Sequence, residues 1–476
     1  MSDKKIEAVV KKLAKQAKVF YVGGFVRDFL LGEKSKDIDL EVYGLSLVEL
    51  EKLLKKNFGA RRVKAVGKSF NVLHVSLSNG YTLDVSLPRR DSKVGRGHRG
   101  IVAIADLGLS MKDAARRRDF TINAMLMDPL TGQIFDFFGG QADLKNKVLR
   151  MVEAKTFVED PLRVLRAVQF ASRFDLVIDD KTVRLIKKMV VAGALAELSA
   201  ERVREEIDKL LLKSKQPSYG LELLRELGIL KVICPELLSL KNCFQEPSWH
   251  PEGDVWEHTK LAVDAAAKLT RLEKFSETDR LLVLLATLFH DVGKPTVTKE
   301  IKGRVRAIGH SEIGEKIVRL VLSRWRYSNL IVDSVGIIIR EHRWPPVLLK
   351  SLKNKEIVER RYIGEIADLL RRLGPVSLVA FLTVCEADYR GKKLRGVFVS
   401  GQKMKQIIQK YKLSNQPLLL GRDVLSTWQK IKKAQPLDGR LIGKFLKTVE
   451  EKRRLGKILT KTEAKKFLAE EIKKIS

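Results

Sequence analysis

Two aspartates two positions apart, Asp37 and Asp39, form the first candidate metal-binding pair along the chain. Side chains at positions i and i+2 of a strand project from one face, so the two carboxylates would lie close together. Close carboxylates repel each other unless a cation lies between them, and Mg²⁺ favours such hard oxygen ligands. Asp84, on a later predicted strand, could add a third carboxylate. A solvated strand end would also explain an isolated Asp-x-Asp pair, so the assignment depends on the surrounding motifs.

A glycine pair and a nearby arginine could bind phosphate. Gly23 and Gly24 lie between a predicted strand and a predicted helix. Backbone N–H groups can approach a phosphate closely there, and the helix N-terminus favours its negative charge. Arg27 is then a candidate phosphate ligand, although a tight strand-to-helix turn would explain the two glycines equally well.

Two further motifs combine arginine with acidic or amide side chains. Arginines at positions 116–118 precede Asp119 and Asn123, and arginine offers a fork of donors that suits a triphosphate. Asp160 and Arg163 lie three positions apart at a predicted helix start and so share one face. An acceptor beside a donor can recognise the edge of a nucleotide base. A helix cap with a surface ion pair is the alternative.

A second group of candidate residues lies in the helical half of the chain. Four of the seven histidines fall in one region, and one of them precedes an aspartate at the end of the apolar helix predicted at 281–289. Imidazole with carboxylate is a ligand set for a transition metal, whereas isolated histidines would be ordinary helix-end or surface residues. The candidate ligands are His258, His290, Asp291, His310, His342 and Asp388.

The elements that would position these groups change character near residue 150. Up to that point the pattern predicts mixed α/β structure with antiparallel strands. We expect strands at residues 19–22, 38–42, 63–66, 72–77, 82–86, 121–127 and 134–137, and helices at residues 1–18, 25–31 and 45–57. An Asn79-Gly80 turn would join two strands, and residues 89–100 favour a polar loop. From residue 161 nearly every apolar run has helical spacing, so the predicted fold class is α+β.

The composition adds a strong positive charge. Lys and Arg number 91 against 58 Asp and Glu, for a net charge of +33, which favours nucleic acid as the partner over an anionic membrane surface. The hydrophobic fraction of 45% argues against disorder. Three cysteines form no disulfide framework. The longest apolar run falls short of the roughly 20 residues of a membrane span, so we expect a soluble cytoplasmic protein.

The motifs of the first half, taken in order, resemble those of the class II nucleotidyltransferases: the bacterial CCA-adding tRNA nucleotidyltransferases and the related bacterial poly(A) polymerases. The matching stretches are Gly23-Gly24-x-Val26-Arg27-Asp28, Asp37-x-Asp39, Arg117 to Ala124, Glu159-Asp160-x-x-Arg163 and Glu201 to Glu206. The resemblance implies a polymerase-β-like head at residues 1–150 and a helical neck and body at 151–245. It also implies a basic, RNA-binding helical tail at 396–476.

This resemblance also implies roles for individual residues. Asp37 and Asp39 would hold Mg²⁺, with Asp84 as a further catalytic carboxylate, and Asp160 with Arg163 would select C and A. Residues 89–111 occupy the place of a loop that helps to switch between the two bases in the family, and their glycines give such a loop freedom. The implied nucleotide-binding set is Gly23, Gly24, Arg27, Arg117, Arg118, Asp119, Asn123, Asp160, Arg163 and Arg166.

Residues 246–395 resemble the HD phosphohydrolase superfamily. His258, His290, Asp291 and Asp388 match its H…HD…D signature, and His310 and His342 fall where two-metal members carry extra ligands. We call these six residues the HD group. The stretch at 249–259 is similar to the HD-containing branch of the tRNA nucleotidyltransferases. The implied chemistry is hydrolysis of a 2′,3′-cyclic phosphate or a phosphomonoester with Mn²⁺, Ni²⁺, Co²⁺, Fe²⁺ or Zn²⁺; RNA binding alone is the alternative for this domain.

We therefore expect template-independent addition or repair of the 3′-terminal CCA of tRNA from CTP and ATP. No protein partner is evident in the sequence. Within the same class, the alternatives are a poly(A) polymerase or an enzyme restricted to CC or A addition. From other classes, they are an HD phosphohydrolase with a degenerate head and a non-catalytic RNA-binding protein.

Overall fold

The computed structural model describes residues 4–33, 35, 37–66, 72–77, 81–93, 95, 101–393, 396–432 and 436–475. The chain divides into two compact units, Met1–Ile233 and Cys234–Ser476. The first unit contains mixed α/β structure followed by helices, and the second is almost entirely helical. This agrees with the predicted α+β class.

A seven-stranded sheet forms the centre of the first unit in the described part of the chain. The strands of this unit are β1 (Lys18–Val22), β2 (Asp37–Tyr43), β3 (Val63–Val66), β4 (Val72–Ser76), β5 (Thr82–Ser86), β6 (Arg89–Lys93), β7 (Ile101–Ala105), β8 (Leu126–Met127), β9 (Ile134–Phe135), β10 (Val148–Leu149) and β11 (Val177–Ile178). The order across the sheet is β3-β4-β5-β2-β1-β8-β9. Its β2–β5 pair is parallel, and the other neighbouring pairs are antiparallel.

Helices cover the sheet and then continue alone. Those of the first unit are α1 (Lys4–Ala14), α2 (Gly24–Leu30), α3 (Leu47–Phe58), α4 (Met111–Arg116), α5 (Gly140–Lys145), α6 (Ala154–Phe157), α7 (Leu162–Phe174), α8 (Asp180–Val191), α9 (Ala200–Lys213), α10 (Pro217–Glu226) and α11 (Ile229–Ile233). Ser46 and Glu49 cap the start of α3 reciprocally, which satisfies two backbone donors that a helix start leaves without partners.

The alternation of side chains along β2 separates the core from the candidate site. The apolar faces of α1 and α3 pack on one side of the sheet, and alternate residues of β2 enter that core: Ile38, Leu40 and Val42. Because successive side chains of a strand point to opposite faces, the intervening acids must lie on the other side. These acids are Asp37, Asp39 and Glu41.

Two local expectations were wrong. Residues 89–93 do not form a loop but pair, as β6, antiparallel with β7. An apolar run at 101–105 supplies the partner strand, a signal that outweighs the polar character of the first segment. The predicted strand at 121–127 is reduced to β8, because Thr121–Asn123 forms a 3-10 turn. The expected Asn79-Gly80 turn and residues 94 and 96–100 lie outside the described residues.

The second unit is a helical array with one β-hairpin among its described residues. Its helices are α12 (Pro235–Leu238), α13 (Val255–Leu272), α14 (Glu277–Phe289), α15 (Lys294–Val297), α16 (His310–Arg324), α17 (Asn329–Glu341), α18 (Trp344–Lys353), α19 (Glu359–Leu373), α20 (Leu378–Gly391), α21 (Val399–Tyr411), α22 (Gly421–Lys432), α23 (Gly439–Arg454) and α24 (Lys461–Lys473). The hairpin strands are β12 (Thr298–Ile301) and β13 (Arg304–Ala307).

The last three helices have a core of their own. Helices α22, α23 and α24 bury, among others, Val424, Trp428, Phe445 and Leu468. Elsewhere in this unit α13 packs against α14 and α20, and α16 packs against α17. In the part of the chain that is described, no helix has both the length and the apolar character that crossing a membrane would need.

Two glycines bring α19 and α23 into backbone contact. A Cβ atom on Gly364, in the interior of α19, would overlap the carbonyl oxygen of Arg453. A Cβ atom on Gly456 would likewise overlap the carbonyl oxygen of Arg360, and the positive φ of 72° at Gly456 also favours glycine. The two helices therefore pack without side chains between them at this point.

We predict that Gly364→Ala lowers the unfolding midpoint of the second unit. The new methyl group has to push α23 away, and overpacking of this kind costs about 1–3 kcal/mol. Gly443→Ala in α23 is the matched control, because no atom lies within 4 Å of the position that its Cβ would take. Alanine there should leave stability unchanged or raise it by up to about 1 kcal/mol. Urea unfolding followed by circular dichroism measures both; equal midpoints for the two variants would contradict the close approach.

Candidate functional site

Three carboxylates meet where β2 and β5 run side by side. The parallel register places Asp39 opposite Asp84 and Asp37 opposite Thr82. The hydroxyl of Thr82 donates to Asp37 Oδ1 at 3.0 Å. Burial raises the pKa of Asp39 to about 6, and the charges of Asp84 and Asp37 add to this rise against the opposing effect of Arg118. Ionisation of these neighbouring carboxylates is unfavourable because they are buried and repel each other. A bound cation would offset that repulsion, so this edge of the sheet suits one.

Asp84 has a partner that the sequence analysis did not include. His74 on β4 lies opposite Asp84 in the antiparallel register, and its Nδ1 is 2.6 Å from Asp84 Oδ1. Only the pairing of β4 with β5 brings these two residues together. The contact could therefore not be predicted before the register of that pair was known.

Glu41, also missed, continues the alternation of Asp37 and Asp39. Its side chain is buried and accepts hydrogen bonds from Arg117 at 3.3 Å, from Arg118 at 3.4 Å and from the Tyr43 hydroxyl. Burial alone would raise the pKa of Glu41, but the two guanidinium groups lower it below its usual value. Glu41 therefore fixes both arginines beside the aspartates. The period of two along the strand could have identified it.

Gly23 leaves room for one of these arginines. A Cβ atom at this position would lie 2.8 Å from Nη1 of Arg118 and 3.6 Å from Oδ2 of Asp39. Its φ of 67° is also in the left-handed region. The glycine pair thus allows a guanidinium and a carboxylate to approach the strand-to-helix turn.

Arg27 is buried against aromatic rings and two polar partners. It donates to Asp28 Oδ1 at 2.6 and 2.8 Å and to Asn123 Oδ1 at 2.6 Å. Its guanidinium carbon lies 4.3 Å from the centre of the Phe174 ring and 5.3 Å from that of Phe170. These contacts tie the start of α2 to α7.

Asp119 links the same region to α7. It accepts from Asn123 at 3.1 Å and from Arg166 Nε at 2.7 Å. Burial would raise the pKa of Asp119, but Arg166 and Asn123 lower it below the usual value, so the carboxylate is ionised.

Asp160 and Arg163 do not bond to each other in the structure. Asp160 accepts two hydrogen bonds from Arg202 of α9, at 3.1 and 3.2 Å, and one from the backbone of Leu162. Arg163 donates to the carbonyl oxygens of Thr156 at 2.8 Å and Arg117 at 2.5 Å. Arg202 was absent from the expected site, although it lies in the matching stretch at 201–206.

These residues line one cavity of about 730 Å³, which we call the head cavity. This volume is typical of a small-molecule site. All ten expected nucleotide-binding residues line it together with Asp37 and Asp39, whereas Asp84 is not among its lining residues. Residues that were not expected also line it: Phe25, Asp28, Ser35, Arg89, Glu159, Phe170, Arg173 and Lys213.

The HD group gathers in the second unit. His258 Nε2 lies 3.0 Å from Asp388 Oδ1 and 3.2 Å from His290 Nε2. Asp291 lies between His290 and His310. Its Oδ2 is 3.2 Å from His290 Nε2, and its Oδ1 is 3.3 Å from His310 Nε2. The ring centre of His342 is 5.4 Å from that of His290 and 5.5 Å from that of His310. Two overlapping sets of potential metal ligands result, and they share Asp291.

Backbone carbonyls orient three of these imidazoles. The Nδ1 atoms of His290, His310 and His342 lie 2.6–2.7 Å from the carbonyl oxygens of Thr287, Ala307 and Ile339, respectively. With the proton on Nδ1, each Nε2 presents a lone pair to the centre of the group. Burial and the neighbouring His290 and His310 lower the pKa of His342 to about 3, which keeps it neutral. This donor set fits divalent transition metals.

Glu252 performs the same orienting task for the fourth imidazole. Its Oε1 lies 2.7 Å from His258 Nδ1 and 2.8 Å from His250 Nδ1. Carboxylate–histidine pairs of this kind fix the tautomer of a ligand. Glu252 and His250 both lie in the stretch at 249–259, yet sequence reasoning assigned no role to either of them.

Gly293 allows His310 to reach the group. A Cβ atom on Gly293 would overlap the carbonyl oxygen of His310 and lie 2.6 Å from the nitrogen of Gly314. The turn after Asp291 thus touches the backbone of α16 directly. That contact places the first residue of α16 beside Asp291.

Known protein families match three parts of the chain. Residues 19–150 match the poly A polymerase head domain, residues 175–240 match a probable RNA and SrmB-binding site of polymerase A, and residues 255–373 match the HD domain. A multifunctional CCA protein of Cupriavidus taiwanensis is 35% identical over 382 residues, covering 79% of this chain and 85% of the relative. This chain belongs to the multifunctional CCA protein family.

A second relative gives the same result. The multifunctional CCA protein of Acinetobacter baumannii is 36% identical over 383 residues, and the match covers 79% of this chain and 84% of that relative. Both the polymerase head and the HD domain belong to classes that depend on divalent metals, which accords with the aspartates on β2 and β5 and with the ligand sets of the HD group.

Solved structures share the fold of this chain. A CCA-adding enzyme in complex with ATP has a TM-score of 0.62 at 24% identity, covering 99% of this chain and 96% of that one. The Thermotoga maritima CCA-adding enzyme complexed with tRNA has a TM-score of 0.57 at 22% identity, covering 95% and 91%. This likeness confirms a polymerase head followed by helical domains.

We predict that Gly293→Ala weakens metal binding by the HD group at least tenfold. The added methyl group has to displace the start of α16, and His310 moves with it. Gly439→Ala is the matched control, since a Cβ atom there would have no neighbouring atom within 4 Å. Calorimetric titration of chelator-treated protein with Mn²⁺ measures the change, and equal affinities for the two variants would exclude a positioning effect of Gly293.

Proposed function

We propose that this chain adds or repairs the 3′-terminal CCA of tRNA by taking nucleotides from CTP and ATP without a nucleic-acid template. The observation that carries the proposal is the head cavity. It unites a carboxylate edge, arginines for a triphosphate and the Asp160–Arg163 region in one space. The relatives that this chain matches over most of their length are multifunctional CCA proteins.

The transfer step joins two substrates in this cavity. The 3′-hydroxyl oxygen of the RNA forms a bond to the α-phosphorus of the nucleotide, and the bond from that phosphorus to the bridging oxygen breaks. Pyrophosphate leaves with the electron pair, and the hydroxyl proton passes to solvent. Mg²⁺ held by Asp37 and Asp39 would activate the hydroxyl and stabilise the leaving pyrophosphate.

The other residues of the cavity would bind and orient the nucleotide. Arg117 and Arg118, fixed from one side by Glu41, are placed to neutralise the triphosphate. Arg27 holds the glycine turn against Phe174, so its primary contribution is to shape the phosphate site. Asp160 and Arg163 would present an acceptor and a donor to the base, and Arg202 would fix the orientation of the Asp160 carboxylate.

The HD group supports a second activity, metal-dependent hydrolysis of a phosphate ester. Its ligand atoms fall into two overlapping sets that share Asp291, each with the spacing that a bound cation needs. Water adds its oxygen to phosphorus, the ester bond from phosphorus to a ribose oxygen breaks, and the ribose oxygen takes up a proton. A bound transition metal would lower the pKa of that water. The candidate substrates are a 2′,3′-cyclic phosphate and a phosphomonoester.

Purified protein with Mg²⁺ and defined tRNA transcripts tests the main proposal. Transcripts that lack CCA, end in CC or end in CCA are each given CTP and ATP, singly and together. We expect stepwise C, C and A addition that stops at CCA. Long A tails on any RNA would instead identify a poly(A) polymerase. Addition of A alone to the CC-ended transcript would identify an enzyme restricted to A addition.

Asp37→Asn combined with Asp39→Asn is expected to lower incorporation by at least a thousandfold, because the metal-binding carboxylates are removed. Binding of tRNA, measured by gel shift, should survive. His290→Ala is the matched control from the other unit and should retain full incorporation. Incorporation that persists in the double variant would show that the metal assignment is wrong.

Asp160→Ala is expected to relax base selection, because the base edge loses its acceptor while Arg163 keeps its backbone contacts. We predict that the ratio of UTP and GTP to CTP and ATP incorporation rises at least tenfold, in keeping with the roughly 1–3 kcal/mol of a specific base contact. Asp180→Ala, at the exposed start of α8, is the control. An unchanged ratio would remove Asp160 from base selection.

A further inference from the structure

The HD group is buried except at Asp388. The side chains of His258, His290, Asp291 and His310 are at most 4% exposed. Asp388 is 15% exposed at the edge of the group. Three flanking side chains are also partly exposed to solvent: Lys392 (23%), His250 (13%) and Lys294 (11%). We therefore infer that a substrate would approach the potential metal ligands from the side of these residues.

Two lysines stand on that side, each beside one aspartate of the HD group. Lys294 Nζ lies 2.7 Å from Asp291 Oδ2 and donates to Gln245 Oε1 at 2.6 Å. Lys392 Nζ lies 3.2 and 3.3 Å from the two oxygens of Asp388. Lys392 follows Asp388 by four residues, so both side chains are on one face at the end of α20.

The two lysines are held differently. Lys294 is buried and has a second side-chain partner, so its ammonium group is fixed. Lys392 has a single carboxylate partner among the described residues, and it is the most exposed of the side chains on that side. A cation bound by the oxygens of Asp388 would make them poorer acceptors, which would leave the ammonium of Lys392 available to another anion nearby.

We propose that Lys392, assisted by Lys294, forms a subsite for the phosphate of the substrate at the exposed edge of the HD group, and that its ligand is the dianion of a phosphomonoester on ribose. The proposal rests on the phosphohydrolase activity proposed for this group. A monoester carries up to two negative charges at neutral pH, whereas a cyclic phosphodiester carries one. Two ammonium groups beside the metal ligands match the larger charge.

Lys392→Met tests the subsite, with Lys393→Met as the matched control. Lys393 is the next residue, is exposed and loses the same charge on substitution. The substrates are adenosine 3′-monophosphate and adenosine 2′,3′-cyclic monophosphate, with full-length protein and Mn²⁺. For Lys392→Met we expect KM for the monoester to rise at least tenfold with kcat within threefold, and a smaller rise for the cyclic substrate. Lys392→Arg, which keeps the cation, should restore most of the affinity.

Binding measurements separate the subsite from a structural role. Lys392→Met should bind inorganic phosphate at least tenfold more weakly than Lys393→Met in the Mn²⁺-loaded protein. It should bind Mn²⁺ itself as tightly as the control or more tightly, because a competing positive charge beside Asp388 is removed. Calorimetric titration gives both affinities. Weaker Mn²⁺ binding would assign Lys392 to the support of Asp388 and overturn the proposal.

The remaining outcomes distinguish this inference from the activity on which it rests. Wild-type protein that hydrolyses neither substrate would overturn the proposed phosphohydrolase, and phosphate affinity would then decide the subsite alone. Wild-type activity with equal KM and phosphate affinity in the Lys392→Met and Lys393→Met variants would overturn the subsite only. An equal KM effect on the monoester and the cyclic substrate would overturn the proposed preference for the dianion.

Discussion

The head depends on the alternation of side chains along one strand. Because Ile38, Leu40 and Val42 pack in the core, the acidic residues that alternate with them must lie on the opposite face of the sheet. The parallel register with β5 then adds Asp84 to the same edge. A shift of one residue in this register would exchange the two sets, so a single strand links folding stability to the site of phosphate chemistry.

Glu41 shows how this constraint extends to substrate binding. It is buried like a core residue but is charged, and its charge is balanced by Arg117 and Arg118. The removal of one partner from such a buried pair is costly, which keeps the two arginines beside the aspartates. In the second unit, backbone carbonyls do the equivalent work for the imidazoles. There the orientation of three ligands is set by carbonyl groups near the ends of two helices and one strand rather than by an ion pair.

The sequence predicted the fold class and much of the strand pattern of the head. Charge, periodicity and motif order were sufficient for this because they depend on local spacing. The resemblance to known families also supplied residues that the structure brings together, such as His258 and Asp388, which no spacing rule connects. Contacts that depend on the register or on helix packing could not be predicted: His74 with Asp84, and Arg202 with Asp160.

The errors have the same origin. Polar composition favoured a loop at residues 89–93, but an apolar segment further along the chain pairs with it. Asp160 lies before the start of α7, whereas Arg163 lies in its first turn, so the two do not share a helix face. Each bonds elsewhere, Asp160 to α9 and Arg163 to backbone carbonyls. In both cases a local pattern was interpreted without the element that packs on it.

The glycine contact between α19 and α23 has a consequence for how this molecule can be divided. Gly364 and Gly456 each accommodate the backbone of the opposite segment, so the contact is reciprocal. A shortened chain that ended before α23 would expose the backbone of α19 at Gly364 and would remove the ion pair between Glu365 and Arg454. The C-terminal helices are thus not a detachable module. Evolutionary loss or exchange of this segment would require a new surface on α19 at the same time.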